Sequence, residues 1–396
     1  MAKDDLTPAE LSDLVRTVFR PQPERDRRLA VLVDVPREKA SDSPEWADRR
    51  GLALEWARAL ARVKGELGIG SVELLVYPDV GSNNADLPKE LGSLPEKAFA
   101  DPGLALDAIP PGAVAVGTEA RLAATEILLA PTQYSTTAPL KILSKRLPFR
   151  AATLPGFTRA MIPALRLDTG AVSRRVMELK ERLDAAESAR IEIDAAPDGA
   201  GAPAPHTLHV DLRHRTAHAS DGLLREPGMA GNLPSGEAYI VPYEGEREGD
   251  PSRTAGTLPV QLAPGGGVMV LRIERNRVAE VIGAGPDAAA EREAFAREPA
   301  YANVAELGLG VLGDFGVKAV GSVLLDEKLG LHVAFGRSDH FGGAVGPKDF
   351  RDPKRVVHVD RVYVPEMQPK LVVRRVSLRF ANGREEDVIR NGRYCV

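Results

Sequence analysis

The chain of 396 residues is 43% hydrophobic and 27% charged, with a formal net charge of −4. That length exceeds one ordinary core and sets an expectation of two domains, and the near balance of charge gives no electrostatic reason to bind nucleic acid or an anionic membrane. Cys395 is the only cysteine, which excludes an intrachain disulfide and Cys-rich zinc modules, so any metal must be held by imidazoles and carboxylates.

The opening MAKDDLTPAELSDLVRTVF is charged and amphipathic and has no apolar core of signal-peptide length. No apolar run approaches transmembrane length, so a cytoplasmic protein is expected. The first half then alternates strand and helix. Residues 29–34 (LAVLVD) form an apolar run, followed by a helix over 45–67 in which Leu52, Leu54, Ala57, Leu60, Ala61 and Val63 recur at helical spacing. Gly68 and Gly70 stop it, and residues 71–77 (SVELLVY) make the next strand. Residues 113–116 and 127–130 read as buried strands, 137–145 as a helix and 149–154 as a strand. Asp168 can cap a long helix over 170–188, which leads into a strand at 190–195. This alternation argues an α/β domain with an open, mostly parallel sheet.

The stretch DAAPDGAGAPAPH (194–206) is rich in Pro, Gly and Ala and marks a boundary between an α/β domain, 1–195, and a second domain, 196–396. Beyond it come short β segments at 207–212, 237–242, 268–274 and 277–282, a helix at 287–298, and a hairpin turning at Ala381-Asn382-Gly383. The second domain is therefore expected to be α+β with mainly antiparallel strands.

That second half carries a set of possible ligands: Glu237 in NLPSGEAYIVP, Glu306 in NVAELGLG, His332 in DEKLGLHVAFG, and His358 and Asp360 in VVHVDRV. Residues two apart on a strand share a face, so His358 and Asp360 can act together. A carboxylate inside an apolar segment, as at Glu306, needs a partner, and a cation is one candidate. Asp326, Glu327 and Lys328 read as an exposed turn, the alternative being acids that orient His332. Two imidazoles and three carboxylates suit Zn²⁺, Co²⁺ or Mn²⁺ and leave room for a water. Metal-assisted hydrolysis and oxygen chemistry at iron both fit such a set. The cluster His206, His209, His214 and His218 matches no common ligand spacing and reads as a polar outer face, ahead of a second metal site or a substrate-facing edge. No G-x-S-x-G, Walker A or H-E-x-x-H motif occurs.

Taken together, NLPSGEAYIVPYEG, NVAELGLG, LDEKLGLHVAFG with its following FGG, and VHVD resemble the aminopeptidase T-like metallopeptidases. TQYSTTAPLKILSKRLPFRAATLPGFTRAMI resembles the N-terminal domain of bacterial members, so the likeness runs from about residue 127 to the C-terminus. The resemblance implies a dimeric, two-domain subunit with a pair of divalent ions, Zn, Co or Mn, in its C-terminal domain. Glu237, His332, His358 and Asp360 would be ligands, and Glu306 a ligand or catalytic base. The implied reaction removes N-terminal residues from short peptides through a metal-activated water. One position departs from the pattern: the family's tyrosine seven residues after the first motif histidine is here Asp339, with His340 next to it. His340 could donate in its place, although one residue's offset along a strand would turn it to the other face.

The 2,5-dihydroxypyridine dioxygenases share the same look and hold one Fe(II) with two His and an Asp, a set that His332, His358 and Asp360 would supply here. Retention of Glu237 and Glu306 ranks the two-ion hydrolase first, the dioxygenase second and a non-catalytic peptide-binding relative third. The expected partners are a short peptide or other small molecule and a second copy of the chain.

Overall fold

Every residue from Leu29 to Val35 is buried, as befits a central strand covered on both faces. This strand, Arg28–Val35, lies in a computed structural model that describes residues 5–195, 204–352 and 355–396. The chain divides into two units, Met1–Ser173 with Gly222–Ser235, and Arg174–Asp221 with Gly236–Val396.

The sheet of the first unit runs in the order Ala230–Asn232, Arg150–Thr153, Ile127–Ala130, Arg28–Val35, Ser71–Pro78, Glu90–Pro95 and Val114–Gly117. Its first five strands pair in parallel and the last two are antiparallel. The open, mostly parallel α/β sheet is thus present. Helix Pro44–Val63 starts at Ser43, whose side chain accepts from the Trp46 amide. It stops four residues earlier than expected, in a turn ahead of Gly68, which has a φ of 70°. Asp168 does cap the helix Thr169–Ala185: its Oδ1 accepts from the Ala171 amide at 3.0 Å. Val114–Gly117 is a largely exposed edge strand, not a buried one.

The second unit holds an eight-stranded and a five-stranded sheet, both antiparallel. In the larger one, Ala186–Ala195 pairs with Leu371–Phe380 on one side and Ala204–Asp211 on the other. Those ladders put Ala186–Ala195 in the second unit, so the division differs from a boundary at residue 195. Residues 196–203, most of the stretch read as a linker, lie outside the described residues. Residues 222–235 return to the first unit, where Ala230–Asn232 pairs with Arg150–Thr153. Among the described residues no helix is long and apolar enough to cross a membrane.

A buried ion pair fixes the start of the first unit. The Arg150 guanidinium lies 2.6 Å from the Asp26 carboxylate, each side chain 1% exposed, and Asp26 also accepts from the Gln22 amide at 2.7 Å. Removing one partner leaves a buried charge uncompensated. Asp26→Ala is expected to cost about 3–5 kcal/mol of unfolding free energy, read by denaturant titration; a loss within experimental error would show that the pair is dispensable.

Candidate metal centre

The five-stranded sheet runs His358–Val362, Leu331–Gly336, Val304–Gly310, Glu237–Ile240, His218–Ser220. Directly paired residues share a face. His332 lies opposite Gly308, and Glu306 and Asp360 both lie opposite Ala334. Tyr239 is opposite Gly308, and Glu237 opposite Gly310. All five expected ligands therefore project from one face, and the positions between them are Gly or Ala. The small residues make room. A Cβ on Gly308 would collide with the His332 imidazole, so the ring lies directly across that strand. The other face carries Leu307, Leu309, Leu331, Val333 and Phe335, all buried.

The donor atoms converge on Glu306. His332 Nε2 is 3.2 Å from Glu306 Oε1 and 3.5 Å from Glu237 Oε2. On the other side His358 Nε2 is 3.4 Å from Glu306 Oε2 and 3.7 Å from Asp360 Oδ1. Two groups result, Glu237–Glu306–His332 and Glu306–His358–Asp360, in each of which the ligand atoms lie within 4.8 Å of one another. Glu306 belongs to both. His332 approaches one oxygen of Glu306 and His358 the other.

Several features fit a cation. His332 Nδ1 is 3.2 Å from the Gly330 carbonyl and His358 Nδ1 is 2.8 Å from the Arg337 carbonyl. A carbonyl only accepts, so each Nδ1 carries a proton and each Nε2 is turned toward the carboxylates, the arrangement usual for metal-binding histidine. Glu237 Oε2 is buried without a hydrogen-bond partner, a polar atom that a cation would satisfy. Protonation mimics that charge in the free protein. Burial lowers the His332 pKa, but the Glu306 hydrogen bond and the field of Glu237 outweigh it and bring it up to about 9. His358 is likewise raised, against burial, by its bonds to Asp360 and Glu306. Burial raises Glu306, and the two imidazoles more than reverse this, holding its carboxyl well below the usual range.

The turn read as exposed is not. Lys328 is 2% exposed, its Nζ 2.5 Å from Glu237 Oε1 and paired with Glu327 as well. Gly310 allows this: a Cβ there would collide with the Lys328 carbonyl, so the 327–329 turn rides directly over the Glu306 strand. Burial first, then the Glu237 and Asp360 charges, push Glu327 up to about 8 against the opposing Lys328.

His340 also differs from the expectation for a strand residue. It sits in the short turn Asp339–Phe341, and its ring meets that of His358 edge-on at 5.3 Å. Burial and the neighbouring His358 push it down to about 4, so it is neutral at pH 7. Asp339 pairs with Arg337 at 2.5 Å. The phenol at this centre is instead Tyr239, its hydroxyl pushed up by burial and by the Glu306 and Glu237 charges. Tyr239 stands two residues after Glu237, so strand alternation alone could have identified it. From Tyr239 a wall of rings extends to the ligands: His218 stacks on Tyr239 at 5.2 Å, Phe341 meets Tyr239 at 4.9 Å, and Phe341 meets His358 at 5.6 Å. The loop bearing His340 and Phe341 is pinned by half-buried Glu244, which accepts from Ser338 Oγ and Asn303 Nδ2, both at 2.6 Å. His218 Nε2 donates to the Phe341 carbonyl at 2.9 Å. The other three clustered histidines lie elsewhere: His206 faces Thr257, His214 faces Asp250, and His209 is exposed on the larger sheet.

No family model matches the sequence, and no curated protein matches it. Among solved structures the fold is similar to that of a 2,5-dihydroxypyridine dioxygenase from Pseudomonas putida KT2440, with a TM-score of 0.59 at 15% identity. The match covers 99% of this chain and 98% of that one. It establishes a common fold along the whole length. The dioxygenases named in the sequence resemblance thus share this chain's fold, and the aminopeptidase side of that resemblance is not supported.

The proton-held cluster makes stability depend on pH with a definite sign. The folded pKa of His332 is raised from 6.5 to about 9, so its contribution is complete below 6.5 and is lost as pH rises toward 9. Glu327, raised from 4.5 to about 8, acts in the same direction. Chelator-treated protein should therefore melt at progressively lower temperature from pH 6 to about pH 9 by calorimetry. A melting temperature that rises across that interval would contradict the protonated cluster.

Proposed function

We propose that this chain is a mononuclear, Fe(II)-dependent dioxygenase that opens the ring of a small hydroxylated aromatic. The observation that carries this reading is the Glu306–His358–Asp360 group set against the wall of rings formed by His340, Phe341, Tyr239 and His218. Non-haem iron in oxygenases is usually held by two imidazoles and one carboxylate with positions left free; this group offers one imidazole and two carboxylates, with the second imidazole, His332, on the other oxygen of Glu306. Glu306, His358 and Asp360 would hold the ion, with His332 fixing Glu306 from behind. When bound, Fe(II) supplies the redox chemistry that oxygen insertion needs.

The protein's own groups then have definite tasks. Flat side chains along one border suit a planar substrate, which rings contact face-to-face or edge-to-face. His340, neutral at pH 7, can accept a hydrogen bond from a substrate hydroxyl, and Tyr239, kept protonated, can donate one. The full-length fold shared with a dihydroxypyridine dioxygenase makes dihydroxylated pyridines the first compounds to try.

A two-ion hydrolase acting on short peptides is the second reading, favoured by one observation: Glu306 serves both ligand groups, as a bridging carboxylate would. The two are separated by anaerobic purification with Fe(II), followed by oxygen uptake and loss of ring absorbance with 2,5-dihydroxypyridine and its analogues. Turnover is expected with wild type, and His358→Ala and Asp360→Ala should lose iron and fall by at least ~100-fold. Release of aminoacyl groups without oxygen uptake would replace the first reading with the second.

A further inference from the structure

A lysine is rarely buried unless its charge is paired, and Lys328 is buried beside the centre with its ammonium on Glu237 and Glu327. Its position is not incidental. The turn that carries it is pressed against Gly310, which is paired with Glu237 across the sheet, so the backbone itself delivers Nζ to the Glu237 carboxylate. Glu237 is also the carboxylate that distinguishes the two ligand groups: it belongs with Glu306 and His332 and not with His358 and Asp360.

We propose that the Lys328 ammonium stands in for a second metal ion, so that the centre takes one ion, at Glu306, His358 and Asp360. This rests on the metal-centre reading given above. An ion in the Glu237–Glu306–His332 group would share the Glu237 carboxylate with the ammonium, one oxygen each. Two cations on one carboxylate, in a site nearly closed to water, repel each other with little screening. The side chain cannot withdraw to solvent, because the same turn that buries it is held over Gly310. Lys328 would thus decide metal number, and through it reaction class: one ion with free positions for oxygen chemistry, rather than a pair able to share a nucleophilic water.

The test is metal stoichiometry of the full chain, stripped with chelator, reloaded with excess Mn(II), desalted and measured by elemental mass spectrometry. Wild type is expected to hold one Mn(II), with the spectrum of an isolated ion in paramagnetic resonance. Lys328→Met should hold two, with an exchange-coupled signal, and adding Glu237→Gln should remove only the second. Lys328→Arg, which keeps the charge, should stay at one. Two ions in wild type, or one in Lys328→Met when that variant retains wild-type circular dichroism, would overturn the proposal. If Lys328→Met does not fold, the wild-type count and the coupled or isolated signal still decide it. Wild type that holds no Mn(II), and no Fe(II) loaded anaerobically, would remove the metal-centre reading itself and this inference with it.

Discussion

Glu306 carries a negative charge almost out of reach of water, and much of the second unit is arranged to meet that charge. Each oxygen faces a different imidazole. Each imidazole is in turn oriented by a backbone carbonyl at its other nitrogen. A lone buried carboxylate would be costly, and one partner lost would leave the rest exposed to that cost. The strand order serves the same end: the Glu306 strand lies between the His332 and Glu237 strands, with the His358–Asp360 strand one further out. An ion of charge two can replace the two imidazole protons without altering the total, so the free protein is already electrostatically prepared for it.

Much of this centre could be read from the chain because strands impose a period of two. Glu306, Gly308 and Gly310, then His332, Ala334 and Gly336, then His358 and Asp360 spell out one face each, and the small residues between ligands are as informative as the ligands. The parallel half of the fold was legible for a related reason: uninterrupted apolar runs such as 29–35 have few other uses. Less legible were features that depend on contacts distant in sequence. Lys328 looks solvent-facing beside two acids, and only the close approach of its turn to Gly310 buries it. The division between units was hidden because Ala186–Ala195 finds its partner at Leu371–Phe380, nearly the length of a domain away. Strand Glu90–Pro95 is not legible, because ELGSLP lacks a clear alternation. His340 lies in a short turn that re-aims its side chain, which the period of a strand does not reveal.

The borders of the centre differ in character. On one side is the Lys328 ammonium, held between Glu237 and Glu327. On the other are rings, on a loop pinned at Glu244 and at His218. The charged border is built into turn and strand and has little freedom. The ringed border owes its position to a few hydrogen bonds, so its loop can vary in sequence without disturbing the donor residues.

Neighbouring strands in any sheet lie roughly 4.8 Å apart, and here each ligand strand contributes its donors at that interval. The backbone ladder therefore acts as a ruler for the coordination sphere, and the spacing of the donors is settled when the strands pair, before an ion arrives. Ions of different radius would be accommodated by tilting imidazoles and carboxylates over a fixed lattice of Cα positions. Folding, and not binding, is the step at which this centre acquires its dimensions.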